Sequence, residues 1–242
     1  MNELHARLPE AVKHFWNTRI NQADKQGGKT GLKDYGERGC VTGGAQLDGF
    51  IALIKDLLMD CGLPETSICC KRKIDLPGYF RPEKCWDLLV VNDGQLLAVI
   101  ECKSQVGPSF GNNYNNRTEE SLGSATDLWA AYREGAYSPS QRPWLGFLML
   151  LEEAPGSMRP IKATESHFKV FEEFREASYA RRYELLLLRL LRERLYDGAC
   201  FLLATREGGK KGEFSEPSKE LTFQQFTSSL LGHVMAYLKS RA

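Results

Sequence analysis

Asp87, Glu101 and Lys103 are the residues whose types and spacing could do chemistry in this chain. They bracket two apolar runs, Leu88-Leu89-Val90-Val91 and Gln95 to Ile100, separated by Asn92-Asp93-Gly94. The runs read as two strands joined by a turn. Strand side chains alternate faces, so Glu101 and Lys103 point the same way and Cys102 the other. A three-residue loop with Gly94 at the left-handed position would set Asp87 opposite Val99, on the face that carries Glu101. Two carboxylates and an ammonium then converge at one sheet edge. Carboxylate oxygens suit a hard divalent ion such as Mg²⁺, and a neighbouring lysine can offset charge on a phosphate under attack. That is the equipment of a metal-dependent phosphodiesterase. On a solvated edge the same residues would make ordinary ion pairs. Val90, Val91, Val99 and Ile100 favour the catalytic reading, because they mark strands buried on both faces, where unpaired charge is costly.

The elements that must position these groups follow from periodicity. Leu8, Val12 and Phe15 predict a helix over Leu4 to Asn17, followed by a polar, glycine-rich loop from Asn21 to Gly44. Within that loop Ala23 to Thr30 formally fits a phosphate-loop pattern but lacks the preceding buried strand, and it reads as a flexible loop. Leu47, Phe50, Ile51, Ile54, Leu57 and Leu58 form the stripe of a helix over Leu47 to Cys61. A strand over Ile68 to Ile74 and a turn-rich stretch through Pro82 lead into the Asp87 hairpin. Further helices are expected over Asn116 to Glu134, Tyr179 to Leu195 and Phe223 to Leu238, and strands over Trp144 to Leu151 and Ala199 to Ala204. The order describes an α/β chain with a mixed central β-sheet flanked by helices. We divide it as 1–42, the N-terminal helix and glycine-rich loop; 43–205, the core; and 206–242, a polar loop and closing helix.

Composition narrows the classes. At 242 residues the chain suits one large domain, and 26% charged residues with a formal net charge of +1 mean that only a local basic concentration could meet nucleic acid. Lys71-Arg72-Lys73, Arg81 and Lys84 form such a concentration just before the candidate site. No apolar run reaches the length of a membrane span and the N-terminus lacks a signal-peptide core, so a cytoplasmic protein is expected. Seven cysteines without any Cys-x-x-Cys pair read as reduced thiols rather than a zinc site.

Beyond Lys103 the chain continues Ser104-Gln105-Val106-Gly107-Pro108-Ser109-Phe110-Gly111-Asn112-Asn113-Tyr114-Asn115-Asn116-Arg117-Thr118-Glu119-Glu120. This block resembles the segment after the catalytic lysine of the XhoI-type restriction endonucleases. The likeness extends to Gly43-Gly44 with Asp48-Gly49-Phe50, to Leu76-Pro77-Gly78-Tyr79-Phe80-Arg81-Pro82 before Trp86-Asp87, and to His167-Phe168 with Ala177-Ser178-Tyr179. It runs from about Gly43 to about Tyr183 and leaves the two ends without a counterpart. The resemblance implies a restriction-endonuclease-like PD-(D/E)xK core, a homodimer, Mg²⁺ dependence and cleavage of the palindrome CTCGAG to leave 5′ overhangs. It also implies a companion DNA methyltransferase acting on the same site. The motif falls on Asp87, Glu101 and Lys103, with Trp86 standing where the motif name expects Pro.

Under that resemblance Asp87, Glu101 and the backbone carbonyl of Cys102 hold the metal, and Lys103 serves the attacking water and the developing charge. Asp48 has two readings, an outer carboxylate of the site or the cap of its own helix. Gln105 lies on the Lys103 face if the strand continues, within reach of the water or the DNA backbone. Asn112, Asn113, Asn115, Asn116 and Arg117 are the densest source of base-reading groups, with Arg81 and Lys84 next, although asparagines also build turns and Asn116 could cap the following helix. Two rival classes stay open: a structure-selective repair or recombination nuclease using the same three residues, and a non-catalytic DNA-binding protein.

Overall fold

The computed structural model describes residues 2–26 and 45–241. Five strands form the central sheet in the order β1-β4-β5-β6-β7: β1 (Ile68–Cys69), β4 (Leu88–Asn92), β5 (Gln95–Gln105), β6 (Trp144–Glu152) and β7 (Gly198–Ala204). The first two junctions are antiparallel and the last two parallel, so the sheet is mixed as expected. β2 (Asp75–Pro77) and β3 (Glu83–Cys85) form a separate antiparallel pair. β6 and β7 are buried at every position, which is why both read as continuous apolar runs rather than alternating ones.

Five long helices cover the sheet: α1 (Asn2–Gln26), α2 (Asp48–Asp60), α3 (Phe110–Arg133), α4 (Tyr179–Arg192) and α5 (Phe223–Lys239). One face packs against α1, α2 and α5 through residues such as Val12, Phe15, Phe50, Ile54, Phe226 and Val234. The other packs against α3 and α4 through Leu128, Trp129, Tyr183, Leu187 and Leu190. Neighbouring strand residues divide accordingly, Leu88, Ile100 and Cys102 to the first core and Leu89 and Val99 to the second. No helix among the described residues is long and apolar enough to cross a membrane.

Three elements differ from the sequence expectation. α1 extends to Gln26, taking in the first residues of the expected loop; the rest of that loop, including the second half of the phosphate-loop-like stretch and Gly43-Gly44, lies outside the described residues. The expected Ile68–Ile74 strand is two residues long, because the chain bends at Cys70–Lys73 with Lys71 and Lys73 at positive φ, and pairing resumes in the β2–β3 hairpin. α3 starts at Phe110 behind Ser109, not at Asn116, so the asparagine run is helical and Asn116 caps nothing. Asparagine is a poor helix former on its own; here Phe110 and Tyr114 pack against Tyr179 and Tyr183 and hold the first turns in place.

Among the described residues the thiols of Cys61, Cys69, Cys70, Cys102 and Cys200 are free, as the reduced reading expects, whereas Cys85 is disulfide-bonded and corrects it.

Candidate active site

The β4–β5 hairpin turns through two residues, not three. Asn92 pairs with Gln95, and Asp93 and Gly94 between them both have positive φ, 48° and 72°, the signature of a type I′ turn. With that turn alone, Asp87 would face Ile100 and point away from Glu101. A β-bulge restores the face: Val91 pairs with Leu96 and Val90 with Ala98, leaving Leu97 as the extra residue. Leu88 therefore pairs with Ile100, and the next position sets Asp87 across from Glu101 rather than Val99. The expected shared face is present, with the register moved by two residues.

The antiparallel ladder stops at Leu88–Ile100, so the Cys102 amide has no β4 backbone partner beyond it. The Asp87 carboxylate takes that place, with Oδ2 accepting from Cys102 N at 2.7 Å. A strand residue directs its N–H and C=O to the same neighbour, so the Cys102 carbonyl also faces the Asp87 edge. Glu101 is 2% exposed. Its Oε1 accepts from Lys103 Nζ at 2.5 Å and from Lys84 Nζ at 3.0 Å, while its Oε2 is buried with no partner among the described residues.

Charge in the cluster is distributed by burial and by these pairs. Burial pushes the Asp87 carboxyl above the usual aspartate range, more than Lys103 and the Cys102 amide pull it down. Burial alone would also raise Glu101, but the Lys103 and Lys84 ammoniums outweigh it and hold that carboxyl below its ordinary value. Desolvation would lower Lys103, yet Glu101 and Asp87 outweigh it, and the side chain is held as an ammonium. The group opens on a cleft of about 510 Å³ lined by Asp87, Cys102, Lys103, Ser104 and Trp86 on the sheet side and by Arg19, Asp48, Lys71 and Arg117 around its rim.

Among the described residues no three His, Cys, Asp or Glu side chains cluster as a metal site. The donor set that would hold a divalent ion is therefore two carboxylates and a carbonyl. It fits a hard cation: all donors are oxygens, Glu101 is held ionised, and its Oε2 is a buried acceptor awaiting a partner. Asp48 occupies the first turn of α2 with Leu47, not Asp48, at the capping position, and it pairs with Lys71 at 2.9 Å on the rim. The cap reading of Asp48 is thus replaced by a rim ion pair.

The nominated DNA-contacting residues separate. Gln105 is 2% exposed and faces inward: Nε2 donates to Phe110 O at 2.8 Å, and Oε1 accepts from the Tyr183 hydroxyl. It ties the end of β5 to the start of α3, which removes it from contact with water or DNA backbone. Lys84 is bound to Glu101 and lies 4.4 Å above the Trp86 ring, so it joins the cluster of Asp87, Glu101 and Lys103 rather than an open basic surface. Arg81 Nε donates to Asp127 Oδ2 at 2.8 Å. Asn112, Asn115 and Asn116 are exposed, Asn113 is half-buried, and none of the four side chains has a hydrogen-bond partner among the described residues. Arg117 lines the cleft and pairs with Glu120, with its Nε buried and unpartnered.

Sequence reasoning missed the Lys84–Glu101 contact, because Lys84 sits on a strand, β3, that the turn-rich sequence conceals. It also missed Arg19 in the cleft wall, which carries no local signal at all.

A buried glutamate, a partly buried aspartate and a lysine at the end of a mixed sheet, beside a basic-rimmed cleft, place the chain among α/β enzymes of restriction-endonuclease-like architecture. Residues 25–216 match the family described as restriction endonuclease XhoI. The chain is 51% identical over 207 residues to the type II restriction enzyme BstVI of Geobacillus stearothermophilus, covering 84% of this chain and 92% of that one. It is 43% identical over 188 residues to the type II restriction enzyme XhoI of Xanthomonas vasicola, with 77% and 74% covered, and 51% identical over 161 residues to AbrI of Azospirillum brasilense, with 66% and 72% covered. No solved structure matches. The protein belongs to the XhoI restriction endonuclease family, and its relatives are type II restriction enzymes.

Proposed function

We propose that this protein is a type II site-specific deoxyribonuclease that hydrolyses double-stranded DNA at CTCGAG with Mg²⁺, leaving 5′-phosphates and 5′ overhangs. The chemistry is supported above all by the free, buried Oε2 of Glu101 beside Asp87 and Lys103. The base sequence and the cut position rest on the family likeness.

Asp87, Glu101 and the Cys102 carbonyl would hold the ion. A bound divalent metal polarises the phosphate and lowers the pKa of a coordinated water. The protein's own part is to place and discharge. Lys84 and Lys103 fix the Glu101 carboxylate in one orientation, and the Cys102 amide does the same for Asp87. Lys103, held as an ammonium on the cleft wall, orients the attacking water and offsets charge growing on the phosphate. Arg19, Lys71 and Arg117 on the rim attract and seat the flanking phosphates. Asn112, Asn115 and Asn116, on the outer face of α3 with free amides, suit adenine and, with Arg117, guanine.

A palindromic site is read most economically by a two-fold symmetric protein, so the active species is a homodimer with one centre per strand. A companion methyltransferase protects the same site in the host. Digestion of a sequenced plasmid in Mg²⁺, followed by sequencing of the ends, tests the proposal. Discrete fragments ending at CTCGAG are expected. Smears or nicks at structural junctions would favour the repair-nuclease reading, and binding without cleavage the non-catalytic one.

A further inference from the structure

Tyr79 and Phe80 stand at the tip of the β2–β3 hairpin, 55% and 71% exposed, with their rings edge to face at 5.0 Å. Exposed aromatic rings are not unusual singly. What sets this pair apart is the structure spent on holding it out. Asp127 of α3, 3% exposed, accepts from Tyr79 N and Phe80 N through Oδ1, both at 2.8 Å, and from Arg81 Nε through Oδ2. Tyr137 donates its hydroxyl to Pro77 O at 2.7 Å. Gly78 is required: a Cβ there would meet Asp127 Oδ2 at 2.5 Å and Arg81 O at 2.8 Å. A buried carboxylate thus fastens two consecutive amides and the next side chain. The loop is rigid at its base and apolar at its end.

We infer that Tyr79 and Phe80 form a preorganised aromatic wedge that packs against the bases of the duplex seated in the catalytic cleft. The inference rests on the DNA-cleaving reading proposed above.

Charge and continuity choose DNA as the occupant. The segment from Lys71 to Lys84 carries five basic residues against two acidic ones, Asp75 and Glu83; Lys71, Arg81 and Lys84 are held by Asp48, Asp127 and Glu101, which leaves Arg72 and Lys73 as its open charge. Arg72 and Lys73 are exposed and make no ion pair among the described residues. A phosphate backbone complements such a surface. The tip is also continuous with the cleft. Cys85 and Trp86 line it, Lys84 binds Glu101, and the hairpin runs only about 7 Å from Cys85 to Glu83 before the loop, at a rise of about 3.3 Å per residue. The hairpin that carries the tip therefore begins at the cleft wall. A second copy of the chain fits less well, because an isologous contact sets a patch against its own image and would bring two basic segments together. Phenyl rings carry no hydrogen-bonding code, so the wedge would read how readily a base step opens, favouring pyrimidine–purine steps. Fixing the rings beforehand removes an ordering cost from binding.

The test uses the full chain, wild type and Phe80→Ala, with Tyr79→Ala/Phe80→Ala as the stronger variant. Wild-type plasmid digestion first establishes cleavage and its site; if it fails, the nuclease reading falls and takes the wedge with it. A duplex carrying that site and 2-aminopurine at successive steps is then titrated in Ca²⁺. Expected are a fluorescence rise at one step with wild type, its loss with Phe80→Ala, and roughly ten- to hundred-fold weaker binding. The salt dependence of binding should keep its slope, since no phosphate contact is removed. If wild type cuts but Phe80→Ala binds and cuts equally well, or no step brightens, the wedge is refuted. It is equally refuted if light scattering shows that Phe80→Ala changes the oligomeric state, which would assign the tip to a subunit contact.

Discussion

The end of β5 and the first turns of α3 are separated by four residues and are both rich in polar side chains, yet the fold treats them in opposite ways. Glu101 is buried and its Oε1 is claimed by two lysines. Asn112, Asn115 and Asn116 are exposed and claim nothing. Chemistry needs groups whose position and ionisation are fixed before substrate arrives, because reorganisation during reaction costs rate. Base reading needs donors and acceptors left unspent until a base edge supplies their partner. By that measure Gln105, bonded to Phe110 and Tyr183, falls with the residues whose hydrogen bonds are already made.

The sharpest way to break this comparison is to remove the fixed groups. Asp87→Ala or Glu101→Ala should lower cleavage by at least about a thousand-fold while the fold and DNA binding survive. Lys103→Ala should cost about a hundred- to a thousand-fold, and Lys84→Ala less, about ten- to a hundred-fold, because it acts by orienting Glu101. Single-turnover rates with circular dichroism as the folding control measure the series. A Lys84→Ala enzyme that cuts normally but binds DNA poorly would return Lys84 to the open basic surface. In the same assays chelator should stop the reaction, and Ca²⁺ should permit binding with little hydrolysis; cleavage persisting in EDTA would remove the metal from the scheme.

The unspent side should respond in the other currency. Asn112→Ala and Asn116→Ala should each weaken binding to the cleavage site by about 1–3 kcal/mol and hardly touch binding to unrelated duplex. Competition titrations in Ca²⁺ against both duplexes separate the two effects. Equal losses on both would make the asparagines backbone contacts and dissolve the distinction drawn here.

How much of this was legible in the sequence follows the same division. Strand alternation put Glu101 and Lys103 on one face without further information, since the period is two and the run is long. The turn was misjudged by one residue and the bulge at Leu97 was invisible, because several loop lengths suit Asn-Asp-Gly and a bulge depends on packing across the sheet; the two shifts together moved Asp87 from Val99 to Glu101 without changing its face. The helical asparagine run was hidden by its own poor propensity and revealed only by the tyrosines that pack beneath it. Lys84 and Asp127 reach their partners across 17 residues or more, Arg19 lines a cleft otherwise built from residues far along the chain, and nothing local to any of them encodes the placement.

Among the structural bonds, Gln105→Ala should cost about 2 kcal/mol through the lost contacts to Phe110 and Tyr183. That corresponds to roughly 4–8 °C in Tm. Calorimetry with a DNA-binding control distinguishes this from a reading role: a variant of normal Tm with weakened DNA binding would place Gln105 back at the interface.

The smallest effect concerns Asp127, which is locked like Glu101 but serves the loop rather than the reaction. Burial alone would raise its carboxyl, yet the amides of Phe80 and Tyr79 and the Arg81 guanidinium outweigh it and hold the group below the ordinary aspartate range. A depressed folded-state pKa means that the unfolded chain takes up the proton first on acidification. The contribution to stability is therefore complete above the unfolded value of about 3.9 and is lost as pH falls through the lower, folded value. Between about pH 5 and pH 3 the wild type should lose more stability than Asp127→Asn, whose side chain has no proton to gain, and the variant should start lower at neutral pH. Urea melts at several pH values measure both curves. Parallel curves would show that the Asp127 bonds do not depend on its charge, and would leave the fixed carboxylate at the reaction centre as the one place where charge and position are coupled.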